Sequence, residues 1–402
     1  MRFNRLRDDE QGMALILAVF GLVVIGALVA GSFFVGRVEQ VTGYNTVWAS
    51  QAGEAAEAGL GYAMAVIDPV TYDAMPVWSP AAPSEYVTDG TGVTGMSTLA
   101  YTDSVRRLNN TVFLVRSTGR RLSAGGQVLA TQTLAQLIRL AKPTVGVNAA
   151  VTVQDPIKFN GNSFAVDGFN QYPPGWGGAD CPTGGPQAGN ADDVVAIRSS
   201  AGTGMTAADD DNVQGFPADA VSSDPTINSD TFRNFLDYTY TTLASQAGVK
   251  TLPNDTPYNG VAPLVDGTGV CDKPSLLNLG EPRRGAGTVP QCTGYFPVVH
   301  GTGAQLKFAS GTRGQGILLV DGDLELVGGF EWTGLIIVRG QMKVTGTGNK
   351  ISGAILTEGV DINTAGSVGG DAEVHFSKCA IDRAVNGAAA PAPVSRGWAQ
   401  IY

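Results

Sequence analysis

The strongest pattern of hydrophobic and polar positions is an uncharged run of 24 residues, from Met13 to Gly36. As an α-helix, with a rise of about 1.5 Å per residue, it is about 36 Å long, and the hydrocarbon core of a bilayer is about 30 Å thick. The run is therefore predicted to span a membrane. Three arginines lie in residues 1–12. Because Lys and Arg set the orientation of a span, this leader is predicted to stay cytoplasmic, with the rest of the chain outside.

The pattern continues as a predicted stalk helix over 37–67. Small and apolar residues recur there at intervals of three or four, and they are Val38, Val41, Tyr44, Trp48, Ala52, Ala55, Gly59 and Ala63. Such a stripe lets other helices approach closely and also suits packing on the chain's own globular part, so both interpretations stay open. Asp68-Pro69 is predicted to end the helix, since the residue before a proline is pushed out of the helical region.

A small antiparallel sheet is predicted over 98–140, after a loop rich in Pro, Gly and Ser over 70–94. The three extended segments are 98–105, 111–117 and 127–139. Asn109-Asn110 and Ala124-Gly125-Gly126 separate them and are turn signals. Helix and sheet together form one predicted module, 13–142.

A repeat of 18 residues dominates the C-terminal part. The aligned sets are Leu318, Ile336 and Ala354; Leu319, Ile337 and Ile355; Val320, Val338 and Leu356; Leu324, Met342 and Val360; Leu326, Val344 and Ile362; and the glycine pairs Gly316 and Gly334, Gly322 and Gly340, Gly328 and Gly346. Two strand-like runs per unit, with glycine at the corners, predict stacked coils of a parallel β-helix-like domain over 148–167 and 296–382. The fold class is thus α+β.

Charged positions support the same register. Lys307, Glu325, Lys343 and Asp361 stand 18 residues apart and alternate in sign. With about 4.8 Å between rungs, they are predicted to form a ladder of opposite charges. Asp321 over Arg339 forms a second, shorter column.

Residues 168–295 are predicted to be a long insertion without the repeat, and 383–402 a C-terminal tail. One helix is expected in the insertion, over 230–246, with Ser229 as its N-cap and Gly248 after its end. Its predicted apolar face consists of Phe232, Phe235, Leu236, Tyr240 and Leu243.

The four cysteines, Cys181, Cys271, Cys292 and Cys379, all follow the predicted span. This favours an oxidising compartment and two disulfides, for which three connectivities are possible. No CxxC spacing occurs, so a thiol-redox or cysteine-metal site is not expected.

Composition limits the partners and the chemistry. The 402 residues carry a net charge of −10, which disfavours nucleic acid. Asp209, Asp210 and Asp211 are weak calcium candidates, because their spacing does not match an EF-hand loop, and no other cofactor is expected.

Catalysis is not expected either. Of the alternating carboxylates Asp321, Asp323 and Glu325, the first and last have cations above or below them in the proposed register, which leaves Asp323 without a stacked partner. The two histidines, His300 and His375, lie in no triad motif. The chain is predicted not to be an enzyme.

Gly12, placed between a short basic leader and an uninterrupted apolar helix, resembles the prepilin leader of type IV pilins and type II secretion pseudopilins. The resemblance implies cleavage between Gly12 and Met13 and N-methylation of Met13. The segment 49–60, Ala-Ser-Gln-Ala-Gly-Glu-Ala-Ala-Glu-Ala-Gly-Leu, also looks like a stretch of PilX-type minor pilins. Most pilins have Glu at the fifth position after the cut, where this chain has Leu17. By resemblance to pseudopilins that lack this Glu, Leu17 implies a tip or initiating position.

The resemblance implies a minor pilin or pseudopilin, a subunit of a type IV pilus or a related filament, held in the inner membrane before assembly and at the cell surface afterwards. Its expected partners are other pilins, prepilin peptidase and the inner-membrane assembly platform. The expected role of the β-helix-like domain is adhesion, assembly priming or recognition of an unknown surface or glycan ligand, with any specificity in 168–295. The alternative is a membrane-anchored adhesin or glycan-binding protein outside any filament. An anchored polysaccharide-degrading enzyme is a third, less favoured interpretation.

Overall fold

The computed structural model describes residues 5–66, 75–88, 93, 95–154, 158–159, 164–181, 186, 191–200, 212–217, 221–235, 238–246, 248–253, 257–362 and 372–401. These residues divide into two compact units. The first holds the described residues of 1–67, 75–139 and 393–402, and the second holds those of 140–392.

The described residues contain three α-helices and 22 strands. In chain order they are α1 Arg5–Val66, β1 Tyr86–Thr88, β2 Leu99–Arg107, β3 Val112–Leu122, β4 Val128–Ala141, β5 Ala149–Val153, β6 Lys158–Phe159, β7 Phe164–Asp167, β8 Val195–Ser199, β9 Val213–Gln214, β10 Val221–Ser223, β11 Asn234–Phe235, β12 Tyr238–Thr239, α2 Tyr240–Ala244, β13 Lys250–Pro253, β14 Tyr258–Asn259, β15 Val298–Thr302, β16 Gln305–Ala309, β17 Arg313–Val320, β18 Asp323–Val327, β19 Glu331–Thr345, β20 Asn349–Ile362, β21 Ala372–Phe376, α3 Lys378–Gly387 and β22 Ala390–Ile401. Two 3₁₀ helices, Ser229–Phe232 and Pro290–Cys292, complete the set.

The first unit combines α1 with a five-stranded sheet in the order β1-β2-β3-β4-β22. The pairs β1–β2, β2–β3 and β3–β4 are antiparallel, as the alternation over 98–140 predicts. Two strands were not predicted. β1 lies in the segment expected to be a loop, and β22 lies in the segment expected to be a tail.

The two halves of α1 have different surroundings. Ala52, Ala55 and Ala63 are fully buried, and the helix contacts β2 and β3. The backbone of β3 comes so close that a Cβ at Gly119 would overlap the carbonyl oxygen of Ala52. Val38, by contrast, is exposed, as are the large apolar residues from Met13 to Val35. The stripe of small residues thus packs on the sheet in its second half only.

In the second unit, strands pair in parallel in three columns. One column runs β10-β8-β5-β20-β19-β17-β15-β13, the second β14-β16-β18-β19-β20-β6, and the third β17-β19-β20-β21-β7-β9. Long strands such as β19 and β20 contribute to all three. The repeat in the sequence therefore corresponds to strands stacked on one another.

The predicted 18-residue register is correct between β17 and β19, where Leu318 pairs with Ile336. Between β19 and β20 it is wrong by one residue, because Ile336 pairs with Ile355 and not with Ala354. The corner at 347–349 has one residue more than the corner at 329–330. An irregularity after Val338 restores the 18-residue spacing.

Buried Asn349 occupies this enlarged corner. Its Oδ1 accepts a hydrogen bond from the backbone N–H of Phe330, and its Nδ2 donates to the carbonyl oxygens of Thr345 and Gly346. The amide thus bonds three backbone groups of this corner, and it shares the Thr345 carbonyl oxygen with the backbone N–H of Gly328.

The predicted column of alternating charges is present. Lys307 pairs in register with Glu325, Glu325 with Lys343, and Lys343 with Asp361. Lys158 of β6 continues the alternation beside Asp361. Lys307 Nζ lies 3.0 Å from Glu325 Oε2, and in the shorter column Arg339 lies 3.8 Å from Asp321.

The segment 168–295 is more than an insertion, because it supplies strands to both ends of the stack. β8 pairs with β5, β10 with β8 and β9 with β7 at one end. β13 pairs with β15 and β14 with β16 at the other. These strands are two to five residues long, so they carry no detectable repeat.

The prediction of one helix over 230–246 is wrong. The segment forms a 3₁₀ helix, a hairpin of β11 and β12, and the short helix α2, which is capped by Thr239. Phe232, Phe235, Tyr240 and Leu243 are nonetheless all buried in the core of the second unit. The apolar positions identified the buried side chains but not the backbone path.

Inward-facing aromatic residues form much of that core. The rings of Phe308 and Phe330 are stacked with centroids 5.4 Å apart, and Trp332 stacks on Phe330 at 6.1 Å. All three are almost completely buried. Offset aromatic stacking adds to the stabilisation that burial provides.

A column of glycines allows the rungs to approach. Gly316, Gly334 and Gly353 pair in register and all have positive φ, at 104°, 132° and 144°. A Cβ at Gly334 would overlap the carbonyl oxygen of Gly316. This column requires glycine for both space and backbone conformation.

We expect Gly334→Ala to lower the free energy of unfolding by at least about 3 kcal/mol, from backbone strain and overpacking together. The control is Gly146→Ala, because a Cβ there meets no atom within 4 Å. Its effect should stay below about 1 kcal/mol. Denaturant unfolding measures both, and equal effects of the two variants would contradict the assigned stacking.

Candidate functional site

The first candidate site is the N-terminal half of α1. Its side chains are described from Met13 onward, and Met13 and Leu17 are 68% and 67% exposed. The helix is long and apolar enough to cross a membrane by length and composition. An apolar surface of this length needs a lipid or protein environment. Gly12 lies within the helix, but its surroundings are outside the described residues.

The structure shows how the four cysteines pair in two disulfides, both within the second unit. Cys181 is joined to Cys379, and Cys271 to Cys292. The first links a loop after β7 to α3, and the second closes a loop within 168–295. All four sulfurs belong to buried residues. This selects one of the three connectivities that the sequence leaves open.

The second candidate site is the loop over 261–296, here called the braced loop. Besides its disulfide, Asp266 Oδ1 accepts hydrogen bonds from the backbone N–H groups of Thr268 and Val270. Buried Asn278 Nδ2 donates to the carbonyl oxygens of Leu264 and Asp272. These bonds fix the loop although it has little regular structure.

The braced loop presents large apolar side chains to solvent. They are Leu264, Val265, Val270, Leu276 and Leu277, each more than two-fifths exposed. Leu276 also lines the cleft that adjoins the loop.

A cleft of about 660 Å³ adjoins the braced loop. Its walls are mostly apolar, and its polar side chains are those of Gln246, Lys250, Lys273 and Tyr295. The two Nζ atoms lie 6.0 and 5.8 Å from the centre of the Tyr295 ring. None of the described residues that line the cleft is acidic.

Burial shifts the pKa values of two side chains in the cleft, Tyr295 and Lys250. Burial raises the pKa of Tyr295 to about 12. Burial also lowers the pKa of Lys250, partly offset by the Asp272 carboxylate. Lys250 Nζ donates to the carbonyl oxygens of Lys273 and Ser275.

Sequence reasoning placed any specificity in 168–295 but did not identify these side chains. A usable signal existed, because Lys250 and Lys273 are the two lysines of that segment. Their 23-residue separation hides the fact that both reach one tyrosine ring.

Each carboxylate considered for catalysis contacts a basic side chain or a backbone N–H group. Asp321 Oδ2 lies 3.0 Å from His300 Nε2, and the Arg339 guanidinium approaches its other oxygen. Asp323, expected to lack a stacked partner, accepts a hydrogen bond from the backbone N–H of Gln341 at 2.8 Å. Glu325 pairs with Lys307. These contacts are structural; that the chain is not an enzyme stays a prediction.

His375 lies between two carboxylates on adjacent strands. Its Nδ1 is 3.8 Å from Asp167 and its Nε2 is 3.8 Å from Glu373. The Asp167 carboxylate, opposed by burial and assisted by Glu373, raises the pKa of His375 above the ordinary 6.5. The imidazolium form therefore stabilises the fold.

Since the folded-state pKa is raised, this stabilisation is complete below about pH 6.5 and is lost as the pH rises through the folded-state value. We expect the difference in unfolding free energy between the natural protein and His375→Gln to shrink from pH 6 to pH 8. Denaturant unfolding at both pH values measures it. A difference that is constant or grows with pH would show that His375 is not protonated in the fold.

Among the described residues, no group of three or more His, Cys, Asp or Glu side chains is placed to hold a metal ion. The calcium candidates Asp209, Asp210 and Asp211 lie outside the described residues.

Comparison with known proteins gives little further assignment. No protein-family model and no curated protein matches the chain. Among solved structures, it is similar to the crystal structure of the competence-associated pilin ComZ from Thermus thermophilus, at 13% identity and a TM-score of 0.25, over 88% of this chain and 98% of that one. At this identity and TM-score, function has to be argued from this chain's own residues.

Proposed function

We propose that this protein is a minor subunit of a type IV pilus or a related filament. The observation that carries the proposal is the division of α1. One continuous helix, Arg5–Val66, exposes its first apolar half and packs its second half on an antiparallel sheet. The exposed half suits a membrane before assembly and a bundle of subunit helices afterwards.

The leader residues support the same assignment. Gly12 precedes the apolar run, and the Gln-Ala-Gly-Glu-Ala-Ala-Glu stretch over 51–57 resembles a stretch of PilX-type minor pilins. Prepilin peptidase would cut after Gly12 and expose Met13, and the inner-membrane assembly platform would be the next partner.

A tip or initiating position follows from Leu17. A carboxylate within a bilayer costs about 3 kcal/mol. The resemblance implies that pilins keep their Glu because it pairs with the N-terminal amine of a neighbouring subunit. A chain with leucine there lacks that pairing and fits a position with no subunit ahead of it. The parallel strands would then form a β-helix-like domain displayed for adhesion, priming or recognition.

Mass spectrometry of the N-terminus in purified filaments tests the proposal. We expect the mature chain to begin at N-methylated Met13. A chain that still begins at Met1, or at a residue beyond Gly36, would favour a membrane-anchored adhesin outside any filament.

A further inference from the structure

We propose that the cleft beside the braced loop binds a small carboxylate ligand with an aromatic or other flat apolar body. This site is separate from α1 and does not depend on the filament assignment. The cleft volume of about 660 Å³ falls within the range of about 300–1,000 Å³ that is usual for small-molecule sites.

The charges at the cleft indicate that the ligand is an anion. The protein as a whole is acidic, with a net charge of −10, yet this cleft contains two ammonium groups. Among the described residues, no carboxylate lies within 4 Å of Nζ of Lys250 or Lys273, whereas Lys307, Lys350 and Lys378 are each paired. An anion in the cleft would complete the pairing.

One of the two ammonium groups in the cleft, that of Lys250, is fixed before binding. Lys250 is buried, and two of its three N–H donors are used by the carbonyl oxygens of Lys273 and Ser275. One donor remains. Lys273 is exposed and supplies a second, mobile ammonium at the cleft. Charge-assisted hydrogen bonds of this kind are about twice as strong as neutral ones.

The apolar walls of the cleft favour a ligand whose uncharged part is flat and apolar. Tyr295 and Phe296 contribute rings, and Pro274, Pro297 and Val298 contribute aliphatic surface. A sugar would need many more hydroxyl and amide partners than this lining offers, so a free glycan fits less well than an apolar carboxylate.

The test uses 2-naphthoate and the full chain in phosphatidylcholine nanodiscs, titrated by calorimetry with empty nanodiscs as blank. We expect saturable binding with a dissociation constant below about 1 mM, within reach of a ligand of this size. The cation 2-naphthylmethylamine has the same rings and should not bind in this range.

Two variants probe the charge and the space. Lys273→Gln removes one ammonium but keeps the carbonyl that holds Lys250, and should weaken binding by about tenfold. Gly294→Phe places a ring at the cleft lining and should abolish binding; a Cβ at Gly294 meets no atom within 4 Å, so the backbone has space for a side chain there. Lys350→Gln, a lysine outside the cleft lining, is the matched control and should bind as the natural protein does.

Thermal melting of each variant checks its folding. Any of four results would overturn the proposal: no saturable binding of 2-naphthoate below about 1 mM, equal binding of the amine, unchanged affinity in Lys273→Gln or Gly294→Phe, or an equal loss in Lys350→Gln. A failure here leaves the N-terminal assignment intact, because that rests on Gly12 and α1.

Discussion

Gly12→Val should leave the leader attached, so that the chain accumulates in the inner membrane and is absent from filaments. The expected reason is that the proposed cut falls directly after Gly12, so the bulk of a branched side chain there would hinder the peptidase. The measurement is the mass of the N-terminal peptide together with the amount of chain in sheared filaments, and the loss should be nearly complete.

Gly26→Val is the matched control. It makes the same change within the apolar run, where a Cβ meets no atom within 4 Å and the added carbons increase hydropathy. Processing at Gly12 should be unaffected. Normal processing and assembly of Gly12→Val would remove the support that the leader gives to the pilus assignment.

Replacing Cys181 and Cys379 together by alanine should destabilise the second unit more than any other change considered for it. The disulfide joins residues 198 positions apart. In the chain-entropy model, a loop of this length gives about 5 kcal/mol of stabilisation by restricting the unfolded chain. Such a loss is comparable to the whole stability of many domains.

The second disulfide provides the comparison, since Cys271 and Cys292 are only 21 positions apart. The same model gives about 3 kcal/mol for this pair. Denaturant unfolding of the two double-alanine variants should therefore differ by about 2 kcal/mol. Equal losses, or a larger loss for Cys271 and Cys292, would mean that native-state packing outweighs chain entropy.

Periodic features were predictable from the sequence. The uncharged run and the small-residue stripe predicted α1, and the repeat predicted the pairing of Leu318 with Ile336 and the alternating charges at Lys307 and Glu325. A period repeats the same physical requirement many times, so single exceptions do not hide it.

Shifts of strand register by one residue were harder to predict from the sequence. An extra residue in the corner at 347–349 shifts the register of β20, and only the buried contacts of Asn349 show how the strand absorbs it. The helix predicted over 230–246 failed for a related reason, because spacings of three and four between apolar residues also occur in a 3₁₀ helix followed by a hairpin and a helical turn.

The candidate binding site was the least predictable part. Lys250, Lys273 and Tyr295 come from three places in a segment without a repeat, and no local pattern joins them. Their proximity results from β13 pairing with β15 and from the braced loop folding over that end of the stack.

The sequence by itself determined the membrane-length helix, the antiparallel sheet after it and the periodic part of the parallel strands, because each depends on local spacing of apolar, charged and glycine residues. Only the tertiary structure decided the two disulfides, the strands that 168–295 adds to both ends of the stack, and the lysine-lined cleft. These depend on contacts between residues far apart in the chain, where the free energy comes from burial and pairing that no local pattern records.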